Sequence, residues 1–240
     1  MSDILYRLFS RVLIFFVVPK FRSLVDNINN RHDAVDFAFF FKYLGMSIKP
    51  SQIKYEVTKL LGFIMELKPK VFMEIGTARG GTLFLFTRVA DLEAICLSID
   101  LPGGFLEGGY PKWNVSLYRS FARGWQKIHL IRADSPNPRT FEKLKKVLSG
   151  KKLDFLFIDG DHTYKGVKKD FEMYSPMVRR EGIIAFHDIV PDCRTRYGIQ
   201  TSSYTGDVPK FWDEIKCKYK YFEIVDDPNQ DGCGIGVSTT

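Results

Sequence analysis

Acidic and histidine residues follow two apolar stretches of the chain, a pattern typical of a catalytic or metal site. Leu153–Ile158 leads directly into Asp159-Gly-Asp-His162, and the apolar residues 182–186 lead into His187 and Asp188. Short apolar runs of this kind are typical of strands buried on both faces of a sheet. Ligands in open α/β sheets bind just beyond the carboxyl ends of strands. The two stretches therefore predict a divalent metal and a general base in one crevice.

From residue 70 onward, strand-like and helix-like patterns alternate. Strands are predicted at 71–75, 93–100, 127–133, 153–158 and 182–187, with helices at 80–89, 113–123, 139–148 and 166–174. A helix at 208–216 then precedes strands at 221–225 and 234–238, which turn-forming residues join into an antiparallel pair. This alternation predicts an α/β fold with a Rossmann-like doubly wound sheet, mostly parallel with an antiparallel last strand.

The first 69 residues have helical spacing and are predicted to form a cap or an arm for homo-oligomerisation. Residues 5–18 are mostly apolar, but Arg7 and Arg11 interrupt them and Pro19 closes them. The uninterrupted part is far shorter than the roughly 20 residues that a spanning helix needs. We expect this helix to pack on the core or on a second subunit. The alternative is an interfacial helix that makes peripheral contact with membrane headgroups.

Composition narrows the class of protein. A chain of 240 residues fits one domain with a terminal extension. The net charge is +7, but the cationic residues are spread along the chain without a recognised binding motif, so we expect no nucleic-acid partner. The four cysteines are far apart and lack the CxxC spacing of a structural zinc site. Cysteines spaced in this way indicate a reducing compartment, so we predict a cytoplasmic protein. If the N-terminal helix is interfacial, the protein would also associate with a membrane.

A glycine-rich turn follows the first predicted strand at residues 74–81. Glycines there let the backbone approach a ligand closely at a helix N-terminus. Ala78 stands where a dinucleotide-binding fingerprint has its second glycine, which disfavours a nicotinamide cofactor. The preceding acid, Glu74, suits a cofactor that carries a positive charge or hydroxyls. Asp100, after the second strand, is placed to accept hydrogen bonds from ribose hydroxyls.

Taken together, these motifs resemble those of class I S-adenosylmethionine-dependent methyltransferases. The resemblance is carried by residues 74–81, 98–100, 133–134 and 155–159. Residues 158–170 and 182–188 further resemble a narrower subgroup, the cephalosporin-hydroxylase-like proteins and macrolide sugar O-methyltransferases. The likeness covers about residues 70–238 and implies that residues 70–240 form an S-adenosylmethionine-binding catalytic domain.

The resemblance also implies roles for individual residues. Residues of the glycine turn would line the methionine and ribose part of the cofactor. Asp100 would hold the ribose hydroxyls, and residues at the end of the third strand would hold the adenine. The implied cofactor-binding residues are Glu74, Gly76, Thr77, Gly80, Asp100, Ala133, Asp134 and Asp159.

In the metal-dependent members of that subgroup, an acid after the fourth strand and an acidic pair after the fifth bind magnesium. The resemblance therefore implies a metal site of Asp159, His187 and Asp188, with His162 as general base and Asp159 as its catalytic partner. His187 departs from the pattern, because it stands where the family has a carboxylate. Magnesium prefers oxygen ligands, so His187 weakens the site, shifts it toward manganese, iron or zinc, or leaves it metal-free.

The activity implied is methyl transfer to a hydroxyl of a small molecule, such as a sugar or another natural product. Three alternatives stay open: a cofactor-binding relative with different, hydroxylase-like chemistry, a nicotinamide-dependent dehydrogenase, and a non-catalytic partner in a complex. The glycine-rich residues 100–112 predict a lid or substrate wall, or else a mobile surface loop. Residues 194–204 would form the opposite wall.

Overall fold

The computed structural model describes residues 3–26, 28, 30–103 and 108–240, with side chains from residue 11 onward. The α-helices are α1 (Asp3–Val25), α2 (Arg31–Phe40), α3 (Lys54–Leu67), α4 (Gly81–Val89), α5 (Asn114–Arg119), α6 (Pro138–Leu148), α7 (Tyr164–Tyr174), α8 (Cys193–Tyr197) and α9 (Val208–Ile215). The strands are β1 (Lys42–Tyr43), β2 (Met46–Ser47), β3 (Val71–Ile75), β4 (Ile95–Asp100), β5 (Lys127–Arg132), β6 (Leu153–Ile158), β7 (Val178–His187), β8 (Lys220–Ile224) and β9 (Ile235–Thr239).

The main sheet has the strand order β5-β4-β3-β6-β7-β9-β8. Strands β5, β4, β3, β6 and β7 pair in parallel, whereas β9 is antiparallel to both β7 and β8. This confirms the predicted mostly parallel, Rossmann-like sheet with an antiparallel last strand. The order reverses between β3 and β6, and this reversal is the place where doubly wound sheets bind their ligands.

The central strands are buried on both faces, as their apolar sequences predict. All five residues of β3 are buried. Because successive side chains of a strand alternate between its faces, Phe72 and Phe155 pack into the core on one side of the sheet. Met73 and Leu156 pack into the core on the other side. This two-sided burial holds the carboxyl ends of β3 and β6 rigidly next to each other.

The edges of several elements differ from their predicted positions. Strand β7 begins at Val178, four residues before the predicted start, because Leu153 pairs with Val178 ahead of a register shift. Helix α5 ends at Arg119, short of the predicted residue 123, and Gly124 follows it with φ 59°. The hairpin of β1 and β2 and the short helix α8 are additional elements that local periodicity did not predict.

Helix α1 does not end at the proline that closes its apolar stretch, because it continues through Pro19. A proline inside a helix costs about 3 kcal/mol, since it removes one hydrogen bond and crowds the preceding turn. Here the flanking residues Val17 and Phe21 are fully buried. The ring of Phe21 packs against Phe84 and Phe121, so tertiary packing offsets the local cost.

The N-terminal helices cover one face of the sheet. Helix α2 packs against α3 and α4, and α1 packs against α5. Ile48 and Leu60 belong to the same buried cluster as Phe84, so residues before and after position 69 share one core. Their predicted role in self-association remains a prediction. No helix in the described part of the chain has the length and apolarity to cross a membrane.

Candidate active site

The carboxyl ends of β6 and β7 bring two aspartates and two histidines together. Oδ1 of Asp159 lies 3.1 Å from Nδ1 of His187 and 3.7 Å from Nε2 of His162. Oδ2 of Asp188 lies 3.2 Å from the same His187 nitrogen and 3.5 Å from the same His162 nitrogen. The two carboxylate oxygens and the two imidazole nitrogens therefore alternate around a closed ring, and each of them could bind a metal ion. We call this group of residues the His-Asp ring.

Electrostatic coupling sets the protonation of the His-Asp ring. Burial lowers the pKa of His162, but Asp159 and Asp188 outweigh it and raise that pKa to about 9. Burial likewise disfavours charge on His187, yet the same carboxylates raise its pKa well above the usual value. Burial would raise the pKa of Asp159, whereas His187 and His162 lower it far below its usual range. Without a cation, the ring thus holds imidazolium groups facing carboxylates near neutral pH.

A loop on the far side of the crevice orients His162. Its Nδ1 lies 3.0 Å from the carbonyl oxygen of Tyr204, and its ring stacks on the Tyr204 ring at 5.8 Å. A carbonyl oxygen can only accept, so Nδ1 carries a proton and donates it. The backbone amide of Asp207 donates to the carbonyl oxygen of His162 over 2.8 Å. Nε2 is therefore the nitrogen that faces the centre of the site.

The donor atoms are spaced to suit a divalent cation. Ligand atoms bound at about 2.1 Å to one ion lie about 3 Å or slightly more from their neighbours, and the ring separations are 3.1–3.7 Å. Donors of Asp159, His162 and Asp188 lie within 4.8 Å of one another, as do those of His187, Asp188 and Cys233. Imidazole and thiol donors favour transition metals over magnesium.

The glycine turn after β3 touches the turn after β6. Gly76 has φ 91°, and a Cβ atom there would overlap the carbonyl oxygen of Asp159. Gly80 has φ 81° and precedes α4, where a Cβ atom would press on the Tyr118 ring. Only glycine permits both this backbone conformation and this close approach. The turn therefore lies directly beside the His-Asp ring.

Glu74 is a fully buried acid beneath the glycine turn. Its Oε2 accepts a hydrogen bond of 2.8 Å from the Thr82 hydroxyl, whereas its Oε1 has no partner within the described ranges. Burial, followed by repulsion from Asp100 and Asp159, raises the pKa of Glu74 well above its usual value. Thr77 bonds the Ser98 hydroxyl nearby. An orphaned acceptor in this position fits a ligand that carries a positive charge or donors.

Asp100, at the end of β4, braces the same turn. Its Oδ2 accepts hydrogen bonds from the backbone amides of Thr77 and Ala78 at 2.9 and 2.7 Å. A carboxylate has further lone pairs, so these bonds still leave capacity for ribose hydroxyls. Ala133 donates its amide to the Asp100 carbonyl oxygen, and Asp134 beside it is exposed. The predicted adenine residues thus lie two strands from β3, at the same edge of the sheet.

Three residues near the site gave no recognisable signal in the sequence. Gln52 donates from Nε2 to Oδ2 of Asp159 at 2.8 Å, across 107 positions of the chain. Glu56 is fully buried and accepts from Gln230 at 2.7 Å, which ties α3 to the connection between β8 and β9. Cys233 lies in that connection. All three reach the site through contacts between distant parts of the chain.

The predicted lid is only partly described. Pro102 and Gly109 pair with each other at its base, and residues 104–107 lie outside the described residues. The lid therefore stays a prediction. The predicted opposite wall begins with α8 and ends at Tyr204, which contacts His162.

Among known protein families, residues 73–189 match one that is described as a methyltransferase domain. The uncharacterized protein y4gI of Sinorhizobium fredii is 29% identical over 126 residues, covering 51% of this chain and 13% of that protein. The uncharacterized protein R132 of Acanthamoeba polyphaga mimivirus is 26% identical over 142 residues, covering 57% of this chain and 59% of that protein. The chain thus spans less than two thirds of either relative.

Solved structures share the fold over nearly the whole chain. The O-methyltransferase TomG from Streptomyces achromogenes, involved in tomaymycin synthesis and bound to S-adenosylmethionine, has a TM-score of 0.57, 14% identity and coverage of 93% of this chain and 96% of its own. An O-methyltransferase from Bacillus cereus with S-adenosylhomocysteine has a TM-score of 0.55, 12% identity and coverage of 93% and 97%. A putative caffeoyl-CoA O-methyltransferase from Staphylococcus aureus has a TM-score of 0.56 and 19% identity. The match covers 93% of this chain and 99% of that chain. The family match and the shared fold agree: residues 73–189 are similar to a methyltransferase domain, and the chain has the fold of these O-methyltransferase structures.

Proposed function

We propose that the chain transfers the methyl group of S-adenosylmethionine to a hydroxyl oxygen of a small molecule such as a sugar or another natural product. The observation that carries the proposal is Nε2 of His162, which lies beside Asp159 next to the glycine turn. A base in this position serves an acceptor that must lose a proton, which a hydroxyl does. The O-methyltransferases among the structures that share the fold favour oxygen as the acceptor atom.

The residues around the glycine turn fit the cofactor. When bound, S-adenosylmethionine supplies a methyl group on a positively charged sulfur. Glu74 offers to a cationic or donor group a buried Oε1 that lacks a partner in the described part of the chain, and Gly76 lets the turn pack directly against the carbonyl oxygen of Asp159. Asp100 would hold the ribose hydroxyls, and Asp134 with the backbone of Ala133 would face the adenine.

His162 would act as general base. It accepts the hydroxyl proton at Nε2 while the oxygen–carbon bond forms and the carbon–sulfur bond breaks, which leaves S-adenosylhomocysteine. The carbonyl oxygen of Tyr204 keeps the other ring proton on Nδ1, so the imidazole presents the correct nitrogen. Because methyl transfer is an in-line displacement, the remaining work of the chain is alignment of the acceptor and exclusion of water.

Asp159, His187 and Asp188 are proposed to hold a divalent cation. When bound, such an ion supplies a Lewis acid that lowers the pKa of a coordinated hydroxyl. It would also offset the carboxylate charges that raise the pKa of His162 to about 9, so the imidazole would lose its proton at lower pH. The nitrogen donor of His187 favours manganese, iron or zinc alongside magnesium.

Calorimetry and a methyl-transfer screen test the proposed activity. The purified chain is titrated with S-adenosylhomocysteine and, in parallel, with NAD. It is then incubated with isotopically labelled S-adenosylmethionine and a panel of sugars and hydroxylated natural products, and mass spectrometry locates the label. We expect binding of S-adenosylhomocysteine alone and label on oxygen. Absence of S-adenosylhomocysteine binding, or label on nitrogen or carbon, contradicts the proposal.

Removal of metal tests the cation separately. The protein is dialysed against a strong chelator and assayed before and after addition of manganese or magnesium. We expect activity to fall and to return with the metal, and we expect Asp188→Asn to bind manganese more weakly by calorimetry. Full activity in the chelator would remove the cation from the proposal.

A further inference from the structure

A short segment between β2 and α3 lies directly against the glycine turn. A Cβ atom on Gly81 would overlap the carbonyl oxygen of Ile48 and crowd Pro50. The chain therefore passes over the start of α4 without space between them. This contact holds the next residues, including Gln52, at the edge of the cofactor crevice. Gln52 itself is only 4% exposed.

The orientation of the Gln52 amide follows from its partner. Nε2 lies 2.8 Å from Oδ2 of Asp159. A carboxylate oxygen accepts a hydrogen bond from an amide N–H. The amide nitrogen must face it, and the carbonyl oxygen Oε1 points elsewhere. Oε1 is buried and has no hydrogen-bond partner among the described residues.

A second orphaned acceptor lies close by. Gln52, Gly76, Thr82 and Asp159 line one small cavity, and Thr82 bonds Glu74, whose Oε1 is also buried and partnerless. Leaving a buried acceptor unpaired is unfavourable by about 1–3 kcal/mol. Two such acceptors beside the Asp159 carboxyl group call for a cationic group with several N–H donors.

A primary ammonium group meets this requirement, because it carries a positive charge and three donors. Lys49 lines the same cavity, and its cationic side chain suits a ligand that carries a carboxylate beside the ammonium group. An ammonium next to a carboxylate is the end group of an α-amino acid. In the proposed cofactor, that group is the methionine end of S-adenosylmethionine.

We propose that Gln52 is a cofactor-binding residue supplied by the N-terminal segment, which the methyltransferase-family match does not include. Its Oε1 accepts a hydrogen bond from the α-ammonium group of S-adenosylmethionine, while its Nε2 holds Asp159. The inference rests on the proposed function. It makes the first 69 residues a part of the cofactor site as well as a cover for the sheet.

Two ligands that differ at this end group test the assignment. S-Adenosylhomocysteine has the amino-acid end, whereas 5′-methylthioadenosine has the same nucleoside and sulfur without it. Both are titrated by calorimetry into the wild-type chain and into Gln52→Ala. We expect Gln52→Ala to weaken S-adenosylhomocysteine binding by about ten- to a hundredfold, as for a hydrogen bond to a charged group. Methylthioadenosine binding should change by about twofold or less.

Two further variants guard against a folding effect. Gln126→Ala removes another buried glutamine, whose Nε2 bonds the carbonyl oxygens of Thr87 and Asp91 away from the site; it should bind both ligands as the wild type does. Gln52→Asn keeps the amide but shortens the side chain, so it cannot reach Asp159 and the ligand together, and it should repeat the selective loss.

The outcomes separate this inference from the proposed function. Equal losses for the two ligands would mean that Gln52 acts only through the position of Asp159, and unchanged binding would mean that it does not touch the cofactor. Either result overturns the assignment while leaving the methyltransferase activity intact. Failure of the wild-type chain to bind S-adenosylhomocysteine overturns both.

Discussion

The two histidines of the His-Asp ring share the same carboxylates but differ in what else holds them. His187 is 4% exposed, and its Nε2 has no partner in the described part of the chain. His162 lies at the end of a turn, with 23% of its side chain exposed, and Tyr204 fixes its tautomer. An acceptor molecule entering from solvent can therefore reach His162. His187 is confined to the strand end and suits a ligand role.

Replacement of His162 by Ala tests its role as base. Positioned proton transfer contributes about 10²–10⁴-fold to rate, so we expect kcat to fall by that factor. S-Adenosylhomocysteine affinity should stay within about twofold, because the glycine turn and Asp100 are untouched. Initial rates with the acceptor from the screen and calorimetry measure the two effects. His129→Ala, on β5 away from the site, is the control. A loss of less than tenfold would assign the proton to another group.

Asp170 in α7 is a buried acid that the proposed reaction does not use. It is 0% exposed, and neither carboxylate oxygen has a hydrogen-bond partner among the residues that the structure describes. Burial, with repulsion from Asp161 and Asp134, raises its pKa from 3.8 to about 7. The folded state thus keeps a proton that the unfolded chain loses above pH 4. Stability contributed by this proton is present at low pH and is lost as pH rises toward 7.

Asp170→Asn should therefore gain stability relative to the wild type as pH rises from 5 to 8, with part of the difference already present at pH 5, because the unfolded carboxyl loses its proton above about pH 4. A pKa shift of this size corresponds to about 4 kcal/mol at most. Urea unfolding between pH 5 and pH 8 measures the difference in free energy of unfolding. Asp26→Asn, at an exposed position away from Asp170, is the control and should show no such trend. A difference between Asp170→Asn and wild type that does not change with pH would contradict the assigned protonation.

At the scale of elements, the chain from Tyr204 to Asp207 acts as a bracket for His162. Gly206 has φ 56°, and a Cβ atom there would overlap the carbonyl oxygen of His162. The bracket thus needs glycine both for its backbone conformation and for its close approach. Through this contact a loop that follows β7 sets the position of a side chain that follows β6.

Gly206→Ala should displace His162 without touching the cofactor crevice. We expect at least a tenfold lower kcat with S-adenosylhomocysteine affinity unchanged within about twofold, measured by rates and calorimetry. Gly198→Ala is a matched control, because Gly198 has φ 69° and no described atom lies within 4 Å of an added Cβ. The control carries the same type of backbone strain without the clash. Equal effects of the two substitutions on kcat would rule out the bracket.

At the scale of the whole molecule, α1 has an inner and an outer apolar face. Ile14, Val17 and Phe21 are buried against the core, whereas Phe15 and Phe16 are 77% and 59% exposed. Exposed basic residues flank the outer face at Arg11, Lys20 and Arg22; the side chain of Arg7 lies outside the described residues. Exposed aromatic rings beside basic groups suit an anionic membrane surface. We propose that this face makes the peripheral membrane contact.

Replacing Phe15 and Phe16 together by Ser should abolish sedimentation with anionic phospholipid vesicles. The free energy of unfolding should change little, because exposed positions contribute about 0.5 kcal/mol or less. Phe21→Ala, on the inner face, should instead lose about 3–5 kcal/mol of stability. Wild-type protein that does not sediment with vesicles, but forms a dimer that the double variant lacks, would assign the face to a second copy of the chain.

Local sequence determined the α/β alternation and most of the strand ends. Strands buried on both faces have continuous apolar runs, and turns have glycines and acids, so these elements can be predicted from neighbouring residues. Because parallel strands end at one edge of the sheet, the sequence predicts that Asp159, His187 and Asp188 lie close together. The glycine turn with Glu74 and Asp100 was predictable for the same reason.

Only the tertiary structure decided what surrounds those residues. Gln52 meets Asp159 across 107 positions, Tyr204 fixes the tautomer of His162, and α1 continues through Pro19 because Phe21 is buried. No periodic pattern in the sequence predicts these contacts, because each depends on how separate elements pack and not on neighbours in the chain. The sequence thus determined which strand ends meet, and packing decided which distant side chains complete the site between them.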